Sequence, residues 1–180
     1  MDDAAADDSE LVRRFQRGDT AAFAQFVQRH QDRVYRFAQA LLYRPEDARD
    51  AAQEVFLRAM GGLKGFLFQA APRTWLLRVT RNVCREHNRR LRRHANVDAL
   101  AAWESPLLAT EAKDTDDHDR LRRAVAALPE RQREVVILRM FEDLSVVDTA
   151  RAMGCREGTV KAHLNKAVGN LRELLGQGNE

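Results

Sequence analysis

Apolar positions along this chain recur at three- and four-residue intervals over long stretches, the spacing that puts side chains on one side of an α-helix. From Asp19, whose carboxylate can cap a helix start, Phe23, Phe26, Val27, Val34, Phe37, Ala38, Leu41 and Leu42 trace one such stripe. Ser9 is placed to cap a shorter helix running through Gln16, with Gly18 ending it. Pro45 suits the first turn of a third helix over residues 46–60, where its missing N–H costs nothing. In that helix Ala48, Ala52, Val55, Phe56 and Ala59 face inward, while Asp47, Asp50, Gln53, Glu54 and Arg58 face out. Gly61 and Gly62 are expected to stop it. An aromatic-rich loop over residues 64–72 precedes a long helix over 73–93, in which Trp75, Leu76, Val79, Val83 and Leu91 can pack inward. Arg78, Arg81, Asn82, Arg85, Asn88, Arg89 and Arg92 cannot all follow, and form a broad basic surface. No segment alternates long enough to suggest a strand, so the chain is predicted to be all-α.

The same periodicity returns in residues 128–175, which read as three helices, the last two joined by a very short turn. Ser145 can cap the middle helix, whose Val146, Val147, Ala150 and Met153 share a face. Gly154 offers the positive φ a tight helix end needs, and residues 155–158 restart the chain. Val160, Leu164, Ala167, Val168, Leu171 and Leu175 make the last helix's inward stripe, leaving Arg156, Thr159, Lys161, His163 and Lys166 outside. A cationic outer face near a helix N-terminus, held by a preceding short helix, has the geometry of a helix-turn-helix entering a DNA major groove. An ordinary helical hairpin with a solvated basic face would produce the same pattern.

Charge changes the picture more than composition does. Charged residues make up 32% of the 180, with a net charge of only +3. That small surplus is segregated: residues 1–10 carry only acidic charge, 72–94 are dominated by arginine, and 95–119 are acidic again. Segregation of this kind points to a polyanion for particular surfaces. The length allows two small helical domains, expected over 11–94 and 119–176, with an acidic tail over 1–10 and a short tail over 177–180. Residues 95–118 show little helical periodicity and contain Ser105 and Pro106 and an acidic run, as a flexible acidic linker would. Stretched out at about 3.3 Å per residue, two dozen residues reach roughly 80 Å, a little more than two turns of B-DNA.

Several classes of chemistry lack their residues. No apolar run has the length to cross a bilayer, and the acidic start is the reverse of a secretory leader's basic one, so no membrane partner and a cytoplasmic location are expected. Two cysteines, Cys84 and Cys155, make no disulfide framework. Cys84 and His87 lie one helical turn apart, but a metal would need further ligands, and no second pair is in sight. With no phosphate loop or metalloprotease motif either, no cofactor, no metal and no catalytic residue is expected.

Four segments in order, PEDARDAAQEVFLR (45–58), RTWLLRVTRN (73–82), LPERQRE (128–134) and GTVK (158–161), resemble those of bacterial RNA polymerase sigma factors. The subgroup they are most similar to is the small extracytoplasmic-function one of the sigma-70 family, over nearly all of residues 11–175. The resemblance implies a protein that binds core RNA polymerase and recognises the −10 and −35 promoter elements. Asp50, Gln53 and Glu54 then match positions that contact the clamp helices of the largest subunit. The flap of the second-largest subunit is a further implied partner beside promoter DNA, and the family leaves room for an anti-sigma factor. The loop and the long helix correspond to the −10 recognition and melting element: Phe66 and Phe68 are candidates to stack on unpaired bases, or else belong to the core. Asn82, Arg85, Asn88 and Arg89 lie where relatives grip that element. Arg156, Thr159, Lys161, His163 and Lys166 are the implied −35 contacts.

The sequence departs from the family pattern at Arg49, commonly acidic, at Phe68, commonly glycine, at Pro72, commonly phenylalanine, and at His163, commonly arginine. The expected mechanism is recruitment and promoter opening, without bond-making by this chain. The acidic linker is expected to lead toward the polymerase's active-centre channel, as in relatives. The acidic N-terminus and linker are expected to weaken DNA binding by the free protein. Two rivals stay open at this point: a self-sufficient helix-turn-helix regulator, which would need a dimerisation surface, and a helical carboxylate-metal enzyme, which would need a ligand motif.

Overall fold

A computed structural model describes residues 2–94 and 116–176. Among them every regular element is helical. The N-terminal half comprises α1 (Asp2–Gln16), α2 (Thr20–Leu41), a single 3₁₀ turn (Pro45–Asp47), α3 (Ala48–Leu63) and α4 (Pro72–His94). The C-terminal half comprises α5 (Asp116–Ala127), α6 (Glu130–Val136), a π turn (Ile137–Phe141), α7 (Val146–Met153) and α8 (Glu157–Gly176). Most of the expected linker lies outside the described residues, and its last three positions form the first turn of α5.

Local chemistry accounts for most boundaries. Asp19 caps α2, accepting from Ala22 N at 3.2 Å, and Gly18 turns out of α1 at φ +99°. Ser145 caps α7: its hydroxyl accepts from Asp148 N at 3.0 Å and donates to the Asp148 carboxylate at 2.7 Å. Gly154 ends α7 in the left-handed conformation, φ +63°, so Cys155 N can reach back to Ala150 O at 3.0 Å. The π turn is marked by Glu142 N bonding to Ile137 O, five residues back.

Three expectations fail for identifiable reasons. α1 begins at Asp2 rather than at Ser9, so most of the acidic tail is helical, helped by three consecutive alanines of high helix propensity. Asp8 is also not a solvated tail charge. It is buried against α2, with its carboxylate 2.9 Å from His30 Nε2 and 3.0 Å from Arg29 Nη1. Gly61 and Gly62 do not stop α3, which continues to the buried Leu63. Gly62 serves a close approach instead: a Cβ there would meet Trp75 ring carbons at 2.7 and 2.9 Å.

The two halves meet along α4. Leu76, Leu77 and Val83 of α4 and Leu138, Ala150 and Met153 of the C-terminal half belong to one apolar cluster, with α7 packed against α4. Charged groups cross the same boundary. Arg81, expected on the basic surface, is buried with its Nε 3.0 Å from Glu134 Oε2. Glu142 accepts from Arg73 through its backbone carbonyl, and its carboxylate lies 2.8 Å from Arg33 Nε. Glu130 stands 3.2 Å from Arg92 Nη2 and 3.6 Å from Arg85 Nε.

Candidate nucleic-acid interface

Three surfaces carry the candidate residues, and each is built by a different pair of elements. The first is on α3. Asp50 and Gln53 are exposed on it. Glu54 is half-buried and already engaged, since His87 Nε2 lies 2.8 Å from one oxygen and Arg58 bonds the other. The His87 hydrogen bond, then Arg58, hold the Glu54 carboxyl below the usual carboxylate range against the opposing pull of burial. Arg58 also reaches Glu86 of α4 at 2.6 Å, so Glu54 braces α3 to α4 as well as facing outward. Beside Gln53, α2 and α3 enclose an apolar groove of about 560 Å³ lined by Phe23, Tyr35, Phe56, Leu57 and Met60. Leu57 is 67% and Met60 44% exposed. Neither was singled out from the sequence. Leu57 lies off the helix's inward stripe, and an apolar residue there is the one available signal.

The second surface joins the loop after α3 to α4. Gln16 of α1 donates to the carbonyls of Leu63 and Phe66, both at 2.9 Å, and so holds the loop's entry. Phe66 is half-buried between Phe68, 5.0 Å away edge-on, and Trp75, 5.6 Å away. The Arg13 guanidinium lies 4.7 Å above the Phe68 ring. Both phenylalanines therefore sit in an aromatic cluster, partly accessible. Phe68 adopts φ +55°, the left-handed region uncommon for a bulky residue, at the position where the resembled family commonly has glycine. A cleft of about 390 Å³ opens here, lined by Phe66, Leu67, Thr74, Trp75 and Arg78, with Arg151 of α7 at its wall.

Further along α4, Asn82, Arg85 and Arg89 are exposed and line a second cleft of about 400 Å³, together with Arg58, Arg92 and Glu130. Asn88 behaves differently. It is buried, its Nδ2 donates to Leu41 O at 2.9 Å, and its Oδ1 accepts from Tyr43 N at 3.0 Å. Its amide closes the C-terminal end of α2, while Asn82, Arg85 and Arg89 stay on the exposed face of α4.

The third surface is α7–α8. Val160 and Ala167 are buried, while Arg156, Thr159, Lys161 and Lys166 are exposed and His163 is half-buried. Val147 and Val168, expected inside, are each about 40% exposed. α7 is only two turns long, and its buried side is taken by Thr149, Ala150, Ala152 and Met153. A basic outer face on α8, beside the short α7, gives this pair the chemistry of a major-groove reader.

Residues 26–94 match the family "Sigma-70 region 2", and residues 118–171 match "Sigma-70, region 4". SigM of Mycobacterium tuberculosis H37Rv, named an ECF RNA polymerase sigma factor, is 33% identical over 169 residues, covering 94% of this chain and 85% of its own. The chain belongs to the extracytoplasmic-function sigma factors. The RNA polymerase sigma-H factor of Pseudomonas aeruginosa PAO1 is likewise 33% identical, over 89% of each chain. In three dimensions this sigma factor is similar to RpoE in a co-crystal structure with the anti-sigma factor NepR from Bartonella quintana. That likeness has a TM-score of 0.72 at 25% identity, over 86% of this chain and 96% of that one. CnrH, solved with the cytosolic domain of CnrY, shares the fold at the same TM-score and 22% identity.

As a sigma factor the protein directs RNA polymerase to promoters through the −10 and −35 elements and helps to melt the DNA. Region 2 takes in most of α2 together with α3 and α4, and region 4 takes in α5 to most of α8. No helix among the described residues is long and apolar enough to cross a membrane. No group of three or more His, Cys, Asp or Glu among them could hold a metal ion. Burial pushes both thiols above their ordinary range, Cys84 further than Cys155, which disfavours the reactive thiolate in each.

Proposed function

We propose that this sigma factor acts by binding alone, in the cytoplasm, making and breaking no covalent bond. Its region 2 unit, residues 11–94, docks on the clamp helices of the largest polymerase subunit through α3, with Asp50 and Gln53 pairing to basic partners and Leu57 and Met60 covering apolar surface. Its region 4 unit, residues 119–176, contacts the flap of the second-largest subunit and reads the −35 element. Arg156, Thr159 and His163 supply base contacts there, and Lys161 and Lys166 phosphate contacts. On the −10 element, Asn82, Arg85 and Arg89 hold the strand. Opening DNA costs a few kcal/mol per unstacked base. Stacking on the Phe66 and Phe68 cluster returns about 1–3 kcal/mol per base. Asn88 supports this surface from beneath.

The observation that carries the reading is the placement of an exposed acidic and apolar face on α3 and a basic cleft along α4 within one helical unit, braced together by Glu54, Arg58, Glu86 and His87. Two structural relatives of this fold are recorded with an anti-sigma factor or with a second protein's cytosolic domain, which supports an anti-sigma factor as a further partner. The test is run-off transcription with purified core enzyme on a genomic promoter library, beside a pull-down of that enzyme. The wild-type chain should retain core enzyme and initiate from a defined promoter set. Gln53→Ala/Leu57→Asp should lower retention at least about tenfold, as loss of a docking centre does. Initiation unaltered by adding the chain would refute the reading.

A further inference from the structure

α1 meets the loop after α3 with two side chains on one side of the helix, Arg13 and Gln16. Gln16 fixes the main chain there: its amide donates to the carbonyls of Leu63 and Phe66. Arg13 meets a side chain instead, its guanidinium lying 4.7 Å from the centroid of the Phe68 ring. Phe68 stands in the left-handed region at φ +55°, a conformation that a bulky residue keeps only when its surroundings hold it. Arg13 over the ring, and Phe66 edge-on at 5.0 Å, supply that hold.

Charge sets Arg13 apart from its neighbours on α1. Arg14 pairs with Asp19 at 2.7 Å and Arg17 with Glu10 at 3.0 Å. Among the described residues no carboxylate pairs with the exposed Arg13. A guanidinium stacked on an aromatic face still has its N–H edge available for a phosphate. Phe66 carries the row of rings on to Trp75 at 5.6 Å, and Arg78, three residues along α4 from Trp75, is exposed. Three aromatic rings thus stand in sequence with an arginine near each end. Such a surface suits an unpaired strand, whose bases stack while cations hold its phosphates. α1 precedes residues 26–94, so the region 2 match assigns Arg13 no role.

Resting on the sigma-factor reading, we infer that Arg13 completes the −10 strand site from α1: its plane braces Phe68 as a stacking platform, and its N–H edge holds a phosphate of the unpaired strand. The −10 surface therefore extends beyond the loop and α4 onto the first helix. Gln16 is a positioning residue in this arrangement, because it acts through the loop's carbonyls.

The test uses holoenzyme reconstituted from core polymerase and the full chain. Its probe is the fluorescein-labelled, single-stranded −10 segment of a promoter on which the chain initiates, titrated at several salt concentrations. Arg13→Ala should lower affinity about tenfold and flatten the slope of log affinity against log salt by about 0.7, the contribution of one phosphate contact on a single strand. Arg13→Lys keeps the charge and loses the planar stack, so it should keep the wild-type slope and recover part of the affinity. Gln16→Ala should lower affinity with the slope unchanged, as a change in loop position alone would. A wild-type slope in Arg13→Ala, or a flattened one in Arg13→Lys, overturns the inference. If wild-type holoenzyme binds the strand no better than core enzyme alone, the sigma-factor reading itself is refuted and the inference falls with it.

Discussion

Asn88 stands in an arginine-rich helix among residues that face solvent, yet its amide is turned inward. Both of its polar atoms serve the main chain around the end of α2, at Leu41 O and Tyr43 N. Removing a partner from a buried backbone group leaves that group's desolvation uncompensated. Asn88→Ala is therefore expected to lower stability by about 1–3 kcal/mol, read by urea denaturation. Asn82→Ala, on the exposed face six residues earlier, should leave the urea midpoint unchanged and alter promoter choice. An equal midpoint for the two variants would contradict the assignment. Arg81 teaches the same lesson from the other side. Composition and periodicity placed it with the outward arginines, and only the arrival of Glu134 from a distant segment makes its burial tolerable.

Between elements, the coupling of α3 to α4 rests on a charged brace. Glu54 receives His87 and Arg58, and Arg58 in turn holds Glu86. Both carboxyls lie below their ordinary value of 4.5, Glu54 chiefly through the His87 hydrogen bond and Glu86 chiefly through that of Arg58. A carboxylate whose folded pKa is depressed contributes stability that is complete above its unfolded value and lost as pH falls through its folded one. Stability should thus decline on acidification below about pH 4.5, by about 1 kcal/mol from this pair once solvent screening is allowed for. Denaturant titrations at neutral pH and near pH 3 should show a smaller acid loss for Glu54→Gln/Glu86→Gln than for the wild type. Identical losses would remove the brace from the account. Glu134 responds in the opposite sense. Burial raises its pKa to about 7, against the pull of the neighbouring arginines, so its contribution favours folding at lower pH and fades as pH rises toward that value.

For the whole molecule, the question is how two DNA-reading surfaces act on one promoter. Lysine on phosphate adds affinity without base preference, whereas a base-edge contact adds selectivity. With polymerase holoenzyme on a promoter fragment, Lys161→Ala/Lys166→Ala should weaken binding on all sequences and reduce the salt dependence by about two counterions. Arg156→Ala should instead relax preference at particular −35 positions, at about 1–3 kcal/mol per base pair. Gel-shift titrations at several salt concentrations, on matched and substituted fragments, separate the two effects. A selectivity change from the lysine pair with an unchanged salt slope would reverse the assignment of roles.

The main runs of α2, α3, α4, α7 and α8, the Asp19 and Ser145 caps, the left-handed Gly154 and the basic outer face of α8 were legible in the residue order. Each depends on neighbours within one or two turns, where periodicity and side-chain chemistry suffice. Four family-like segments in the right order carried the function. Local order could not decide which arginines of α4 face solvent, whether Gly62 ends a helix or admits Trp75, or that Asp8 is buried against His30. Those outcomes depend on what a distant segment brings to the same place. Burying a charge is tolerable only beside a partner, and the partner for the buried Arg81 came with the packing of the two halves.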